Sequence, residues 1–231
     1  MDNGEAAASV VFQIGPLAIS NTVVTTWGVM LGFVLLGLLL RLSGQSSRWR
    51  NAIEAVVVAI EGAIGEVLPA ASVHRVLPFV ATLWLFVLVA NLVGLIPELH
   101  APTRDLSATA ALAVLVFGST HWFGIRDRGL RNHLRHYAEP SIILLPFHII
   151  SEFTRTLALA IRLFGNIMSL EMAALLVLLI AGFLVPVPLL MLHVVEAVVQ
   201  AYIFGMLALI YIAGALEPNE SESSSLSEEN P

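Results

Sequence analysis

Residues 157–166 read LALAIRLFGN and place one arginine, Arg162, inside an apolar run that extends from residue 142 to residue 184. A charged side chain near the centre of a bilayer costs from about 3 to more than 10 kcal/mol, depending on how the cost is measured. Such a residue must face a water-filled cavity or a partner of opposite charge. Arg162 is therefore the first candidate functional residue, and the run around it indicates a membrane helix.

The composition of the whole chain also indicates an integral membrane protein. Of the 231 residues, 58% are hydrophobic and 12% are charged, with a mean hydropathy of +0.87. Soluble domains carry about 25% charged residues. The chain has no cysteine, and all 11 basic residues are arginine, which excludes disulfides, thiolate metal sites and any mechanism that needs a lysine. We expect no cofactor, no bound metal and no nucleic-acid partner.

Several apolar runs are long enough to cross a bilayer, which takes about 20 mostly apolar residues in a helix. They cover residues 22–42, 74–96, 106–125, 142–184 and 187–216. The segment GFLVPVP contains turn-forming Gly and Pro residues and divides the last two runs into a hairpin. The sequence thus predicts an all-α integral membrane protein with five transmembrane helices, a long C-terminal helical hairpin and a single membrane domain over residues 1–217.

Two further segments differ from the spanning runs. Residues 48–68 carry Glu54, Glu61 and Glu66 on an otherwise Ala/Val/Ile-rich segment, which is typical of an amphipathic helix that lies at the membrane interface or packs on other helices. Residues 218–231 are rich in Ser and Glu, and this composition predicts a disordered acidic tail.

The distribution of arginine predicts the orientation, because cytoplasmic loops carry an excess of basic residues. The segments after the first and third runs hold Arg41, Arg48, Arg50, Arg126, Arg128, Arg131 and Arg135. The loops on the other side hold only Arg104, which Glu98 and Asp105 balance. We therefore expect the N-terminus outside and the C-terminus in the cytoplasm. With no basic segment before the first run, we expect a retained first span and a multi-pass protein of a bacterial plasma membrane.

Polar residues concentrate in the last two runs. In the fourth run His148, Arg155 and Arg162 lie on nearly one helical stripe, since successive residues turn by about 100°. Asn166 lies one turn further along that stripe. Glu171 lies on the opposite side of the helix, about 13 Å along the axis from Arg162. One helix therefore presents an arginine to one side and a carboxylate to another.

The fifth run carries a matching polar stripe formed by His193, Glu196 and Gln200. Residues that meet across an antiparallel hairpin have a nearly constant sum of residue numbers. This rule predicts three polar rungs across the hairpin, namely Arg162–Gln200, Asn166–Glu196 and Glu171–His193.

Structural roles remain open for several of these residues. Glu171 and His193 could form a neutralised structural pair, because buried polar groups need partners. Glu152 and Arg155 lie near a membrane surface and could reach it with their long side chains. Glu196 could join helices as well as carry an ion.

The hairpin motifs resemble those of subunit a of F-type ATP synthases. They also resemble a divergent variant of that subunit that is associated with Na⁺. The matching segments are ALAIRLFGN at residues 158–166, with Glu171, and HVVEAVVQAYIF at residues 193–204. Residues 83–97 (LWLFVLVANLVGLIP) and 102–113 (PTRDLSATAALA) are similar to the family's Asn–Leu…Pro and Pro-Thr-x-Asp segments. The resemblance covers residues 10–217.

The resemblance implies a non-catalytic stator subunit of a rotary ATP synthase, with ATP chemistry on other subunits. Two offset half-channels would pass H⁺ or Na⁺ to and from the carboxylates of the c-ring, and the partners would be that ring, subunit b of the peripheral stalk and the lipid bilayer. Arg162 would face the ring. Asn166, Glu171, His193 and Gln200 would line the half-channel on the outer side. Glu196, on the same stripe as His193 and Gln200, is a further candidate for the ion path. Channel mouths would involve Asp105, Ser151, Glu152 and Arg155.

The chain departs from the family pattern at two places. Thr156 stands where many members have Pro, Leu157–Ala158 where a Ser is expected, and Ser107 where Asn is usual.

Two other functions are alternatives to this one. A stand-alone ion-coupled secondary transporter, with Glu171 and His193 as its own proton relay, would need internal repeats, and the sequence shows none. An intramembrane enzyme would need a nucleophile–base pair or a metal motif such as HExxH, which the sequence lacks.

Overall fold

The computed structural model describes residues 10–14, 17–42, 48–96, 99, 101–129, 145–181 and 186–216. Two short strands, β1 (Val10–Ile14) and β2 (Leu17–Ser20), pair antiparallel. The helices are α1 (Asn21–Leu42), α2 (Arg48–Gly65), α3 (Ala70–Val93), α4 (Leu106–Arg128), α5 (Leu145–Ala181) and α6 (Pro186–Leu216). A single 3₁₀ turn, Pro102–Arg104, precedes α4 and is called the 102–104 turn below.

The predicted all-α membrane fold is confirmed. Within the described ranges, 5 helices are long and apolar enough to cross a membrane by length and composition, and they are all those named except α2. Their bounds follow the predicted runs to within a few residues. The β1–β2 ribbon is an addition, since the sequence analysis assigned no element to residues 10–20. The predicted tail at 218–231, the hairpin break at 182–185 and the loop arginines Arg131 and Arg135 lie outside the described residues.

The start and end of α4 follow from its terminal residues. Asp105 is the N-cap, and its Oδ1 accepts hydrogen bonds from the backbone N–H of Ser107 at 2.9 Å and from the Ser107 hydroxyl at 2.8 Å. A capping carboxylate satisfies donors that the first helical turn leaves unpaired. At the other end, Gly129 has a φ of 79° and its N–H bonds the carbonyl of Ile125 at 2.8 Å, a backbone conformation that favours glycine after a helix.

A first cluster of buried side chains joins α2 to α3 and α6. Ile60, Ile64 and Leu68 contribute the apolar face of α2 and the residues just after it. They pack with side chains of α3 and of the C-terminal part of α6, including Val76, Val80, Leu209 and Ile212. Glu54 and Glu66 remain exposed. Of the two predicted settings for this amphipathic helix, packing on other helices is therefore observed.

A second buried cluster joins α3, α4, α5 and α6. It contains Leu83, Val87, Ala113, Val116, Leu159, Ala160, Leu163, Ala201, Phe204 and Ala208. Small residues let the helices approach closely, as is common between membrane helices. A Cβ atom added at Gly205 of α6 would lie 2.7 Å from Cδ2 of Trp84 on α3. Glycine at this position is therefore required by the contact with Trp84.

The outer helices leave much apolar surface exposed. On α1 the exposed side chains include Leu31, Val34 and Leu39. A cavity of about 540 Å³ lies between α1 and α3, and nothing lies within 4 Å of a Cβ added at Gly28 of α1. On α5 the exposed side chains run along its whole length, from Phe147 to Ile180. Contiguous apolar surface of this extent indicates contact with lipid or with other subunits.

The two ends of the helix bundle are closed differently. At one end an ion pair joins α3 to α4, with Arg75 Nη1 2.9 Å from Asp127 Oδ1. At the other end the 102–104 turn lies where α3 ends and α4 begins, and it also contacts α5 and α1. We call these the Arg75 end and the turn end.

Candidate functional site

The carboxylate of Glu171 is paired with an arginine outside the hairpin. Arg104 Nη1 donates to Glu171 Oε1 at 2.5 Å, and the two side chains are 36% and 30% exposed. The predicted rung between Glu171 and His193 is absent from the hydrogen bonds of the described residues. The prediction considered pairs within the hairpin only, whereas the turn before α4 lies against α5 and supplies the cation.

The turn that carries Arg104 is tied to α3 by a buried hydrogen bond. Thr103 Oγ1 donates to Asn91 Oδ1 at 2.8 Å, and both residues are 0% exposed. The turn also packs closely on the end of α3, because a Cβ added at Gly94 would lie 2.9 Å from Cβ of Ala101. A hydrogen bond between fully buried groups is costly to break, since each would be left without a partner. The backbone of Arg104 therefore has a defined position above Glu171.

Asp105 was predicted at a channel mouth, and the structure gives it a capping role. It follows Arg104 directly and caps α4 through Ser107. Ser107 stands where the family pattern has Asn, and its hydroxyl takes part in this cap. Asp105 follows Arg104 directly in sequence, but its side chain is hydrogen-bonded to Ser107.

The hydrogen bond that crosses the hairpin differs from the predicted rungs. Asn166 Nδ2 donates to Gln200 Oε1 at 2.7 Å, whereas the constant-sum rule paired Gln200 with Arg162 and Asn166 with Glu196. The observed pairing shifts α6 by about one helical turn relative to the predicted register. Gln200 is only 1% exposed, and its Nε2 has no hydrogen-bond partner among the described residues.

His193 and Glu196 extend this polar stripe along α6. His193 is 8% exposed, and its Nε2 has no partner within the described part of the chain. Glu196 is half-buried and lies close enough to His193 for an electrostatic interaction. Because a buried polar atom without a partner is rare in a folded protein, His193 and Gln200 are both candidates to bind a water molecule or an ion.

Arg162 lies on the exposed face of α5. Leu159 and Leu163, which lie close to it in sequence, are buried at 2% and 0% exposure. Arg162 itself is exposed and makes no hydrogen bond or ion pair with the residues that the structure describes. An arginine at this position in an apolar helix needs water or a carboxylate, so its partner must come from outside the described residues.

A second polar cluster lies beyond Arg162 toward the Arg75 end. Arg155 Nη1 donates to Glu152 Oε1 at 3.3 Å, and the Arg155 guanidinium lies 4.6 Å from the ring centroid of Tyr211. Tyr211 is also within electrostatic range of Arg162. Glu152 accepts a further bond at its carbonyl from the Thr156 hydroxyl, at 2.9 Å. Ser151, predicted in this region, is exposed on α5.

Tyr211 was missed in the sequence analysis, although a signal for it exists. It lies three helical turns beyond Gln200, on the same stripe of α6 as His193. It was grouped with the apolar residues of the fifth run because its ring is largely apolar. Continued by three more turns, the stripe would have brought Tyr211 opposite Arg155.

By their positions along α5 and α6, these polar groups fall into two clusters. The first cluster, at the turn end, contains Arg104, Glu171, Asn166, His193, Glu196 and Gln200. The second, toward the Arg75 end, contains Ser151, Glu152, Arg155 and Tyr211, and the exposed Arg162 lies between them. No group of His, Asp and Glu residues that could hold a metal ion occurs in the described segments. The groups present can exchange protons or hydrated cations.

Comparison with known proteins gives a consistent family. The family model described as "ATP synthase A chain" matches residues 22–213. A protein named "ATP synthase subunit a 2" from Pelobacter propionicus is 61% identical over 94% of this chain and 96% of its own length. "ATP synthase subunit a 1" from Hahella chejuensis is 59% identical over 93% of this chain and 92% of its own. "ATP synthase subunit a" from Legionella pneumophila is 54% identical over 92% and 93%, respectively.

Proposed function

Since the chain belongs to the family of ATP synthase subunit a, we propose that it forms two offset half-channels that carry H⁺ or Na⁺ to and from a c-ring. The resemblance stated from the sequence is thus confirmed at the level of the family. Subunit a is the ion-channel stator subunit of the membrane Fo sector and is a non-catalytic member of a complex with other subunits. The relatives are bacterial proteins, and the chain has several helices able to span a membrane.

The observation that carries this proposal is the exposed Arg162 between two separate polar clusters. A c-ring carboxylate must be neutral while it faces lipid, because moving a bare charge through hydrocarbon is prohibitive. Beside Arg162 the same carboxylate can ionise, because an opposite charge within about 4–6 Å favours the charged form. Arg162 would also repel a cation that moved directly from one cluster to the other. Ion flow would therefore require rotation of the ring.

The cluster at the turn end would form the half-channel that opens to the outside. Its support is the set of buried polar atoms without partners in the described residues, on His193 and Gln200. Water or an ion bound to these atoms would extend the ion path from Glu171 toward Asn166 and Arg162. Each elementary charge that passes is driven by about 2.3 kcal/mol per 100 mV of membrane potential.

The cluster toward the Arg75 end would form the half-channel that opens to the cytoplasm. Glu152 and Arg155 form an ion pair beside Tyr211, and Ser151 is exposed next to them. The orientation follows the arginine counts, with the N-terminus outside and the C-terminus inside a bacterial plasma membrane. The exposed apolar faces of α5 and α6 would contact the c-ring, and other exposed surface would contact subunit b and lipid.

The test is Arg162→Ala in the assembled complex, reconstituted into liposomes. ATP-driven uptake of H⁺ and of Na⁺ and passive leak would be measured together. We expect ATP-driven uptake to fall to background and passive leak to rise, because the ring carboxylate can no longer ionise and the two paths are no longer separated. The matched control is Arg75→Ala, which removes an exposed arginine with an exposed ion pair and should pump normally.

Uptake at the wild-type rate in Arg162→Ala, with the complex assembled, would overturn the proposal. The wild-type complex in the same assay identifies the transported ion. An ATP-driven signal that requires Na⁺ in the medium would assign Na⁺, and one that survives without Na⁺ would assign H⁺.

A further inference from the structure

We propose that Arg104 controls access of the ion to Glu171 by competing with it for the carboxylate. In this role Arg104 is a positioning residue, because it acts on the ion through Glu171. The inference rests on the proposed function, in which Glu171 belongs to the half-channel at the turn end. No pairing of this kind followed from the hairpin motifs, since Arg104 lies 67 residues before Glu171 in the chain.

The first support is the geometry of the ion pair. Arg104 Nη1 lies in direct hydrogen-bond contact with Glu171 Oε1, and hydrogen bonds between two charged groups are stronger than those between neutral groups. A proton or Na⁺ that binds this carboxylate must compete with the guanidinium for its negative charge, so binding is favoured as the guanidinium withdraws. The pair is partly open, at 36% and 30% side-chain exposure. The arginine can therefore exchange Glu171 for water without unfolding its surroundings.

The second support is the rigid attachment of the turn. The buried bond between Thr103 and Asn91 ties the residue before Arg104 to α3, and Asp105, the residue after it, caps α4. The backbone of Arg104 is thus held on both sides, while its long side chain is half exposed. Such an arrangement returns the guanidinium to Glu171 after each release.

The third support is that no other acid among the described residues forms an ion pair with Arg104. At the turn end, the other titratable groups of the described residues are Asp105, His193 and Glu196. Asp105 already accepts two hydrogen bonds from Ser107, and Glu196 interacts with His193 on its own helix. Among the described residues, Glu171 is therefore the acid that binds Arg104, and loss of this cation should act on Glu171 first.

The test measures ATP synthesis by the complex reconstituted in liposomes with its ATP-synthesising portion outward, so that the turn end faces the lumen. The membrane potential is fixed, and the luminal H⁺ or Na⁺ concentration is varied. For Arg104→Gln we expect the half-saturating luminal concentration to fall several-fold, because the entering cation no longer competes with the guanidinium for the carboxylate. The maximal rate should also fall, because the bound ion is no longer displaced.

Three comparisons make the test specific. Arg104→Lys keeps the charge and should stay near the wild-type half-saturating concentration. Arg75→Gln removes an exposed ion pair at the other end of the bundle and should change neither parameter. Addition of Arg104→Gln to Glu171→Gln should lower the residual rate of synthesis no further, since the residue through which Arg104 acts is already gone.

The outcomes separate the two proposals. Wild-type synthesis by Glu171→Gln would remove Glu171 from the ion path and overturn its role in the half-channel, and the inference about Arg104 with it. Loss of synthesis in Glu171→Gln with unchanged parameters in Arg104→Gln would overturn only the inference about Arg104. The amount of assembled complex, measured for every variant, shows whether a loss reflects assembly.

Discussion

Asn166 of α5 donates a 2.7 Å hydrogen bond to Gln200 of α6, and this contact sets the register of the hairpin. Gln200 is almost completely buried, so its amide cannot turn to bulk water instead. The bond therefore links the position of the two helices to the chemistry of the proposed ion path. A change of register by one turn would separate both amides from their partners.

We predict an energetic coupling between these two residues. A double-mutant cycle with Asn166→Ala and Gln200→Ala should give a coupling of about 0.6 kcal/mol, and at most about 1.7 kcal/mol, as measured for hydrogen bonds between membrane helices. The measurement is the unfolding free energy of the purified chain in detergent micelles. Strictly additive effects of the two substitutions would show that the amides do not interact.

Gly205 should tolerate no side chain. Gly205→Ala would bring Cβ within 2.7 Å of Cδ2 of Trp84, and overpacking of this kind costs about 1–3 kcal/mol. The control is Gly28→Ala on α1, where nothing lies within 4 Å of the added Cβ. Replacing a helical glycine by alanine without a clash stabilises by about 0.5–1 kcal/mol, so the two variants should shift the thermal stability of the solubilised complex in opposite directions. Equal shifts would contradict the close contact of α3 with α6.

Thr103→Val should loosen the 102–104 turn. The substitution keeps the volume but leaves Asn91 Oδ1 buried without its donor, which costs about 1–3 kcal/mol. Thr82→Val is the matched control, because the Thr82 hydroxyl is exposed and bonds only the carbonyl of Pro78 in its own helix. Protection of the amide of Arg104, which bonds the carbonyl of Ala101, should decrease in hydrogen exchange for Thr103→Val alone. Unchanged exchange would mean that the turn is held by other contacts.

The contact of Arg155 with Tyr211 should depend on the aromatic ring of Tyr211 and not on its hydroxyl. Tyr211→Phe keeps the ring 4.6 Å from the guanidinium, whereas Tyr211→Leu removes an interaction of about 0.5–2 kcal/mol. We expect ATP-driven ion uptake near the wild-type rate for the phenylalanine variant and several-fold slower for the leucine variant. A slow phenylalanine variant would instead assign a proton-transfer or hydrogen-bonding role to the hydroxyl.

The helices were predictable because apolar run length and Gly/Pro breaks are local signals. The run at 74–96 forms α3 (Ala70–Val93), and the run at 142–184 forms α5 (Leu145–Ala181). Membrane helices satisfy their own backbone groups, so little outside the run can alter the element. The ribbon of β1 and β2 was missed because its two strands are too short for a clear alternating pattern.

The contacts of the site were less predictable, because they depend on how separate elements pack. The polar stripe of α6 with His193 and Gln200 followed from helical periodicity, and both residues are buried. The partner of each residue did not follow, since a small shift between crossing helices changes the register by a turn. The pairing of Glu171 with Arg104 could not be predicted from the sequence of the hairpin alone. It requires knowing that the 102–104 turn lies against α5.

The packing of α5 has a mechanical consequence. Its inner face, with Leu159, Leu163 and Ile167, is buried against the rest of the bundle, and its outer face is exposed. A rotor turning against the outer face would push α5 sideways, and the reaction force would pass through these three side chains into α3, α4 and α6. Because close-packed interiors have low compressibility, little of the torque would be lost as deformation. In the proposed function, the inner face of α5 would thus transmit the load from the rotor to the rest of the stator.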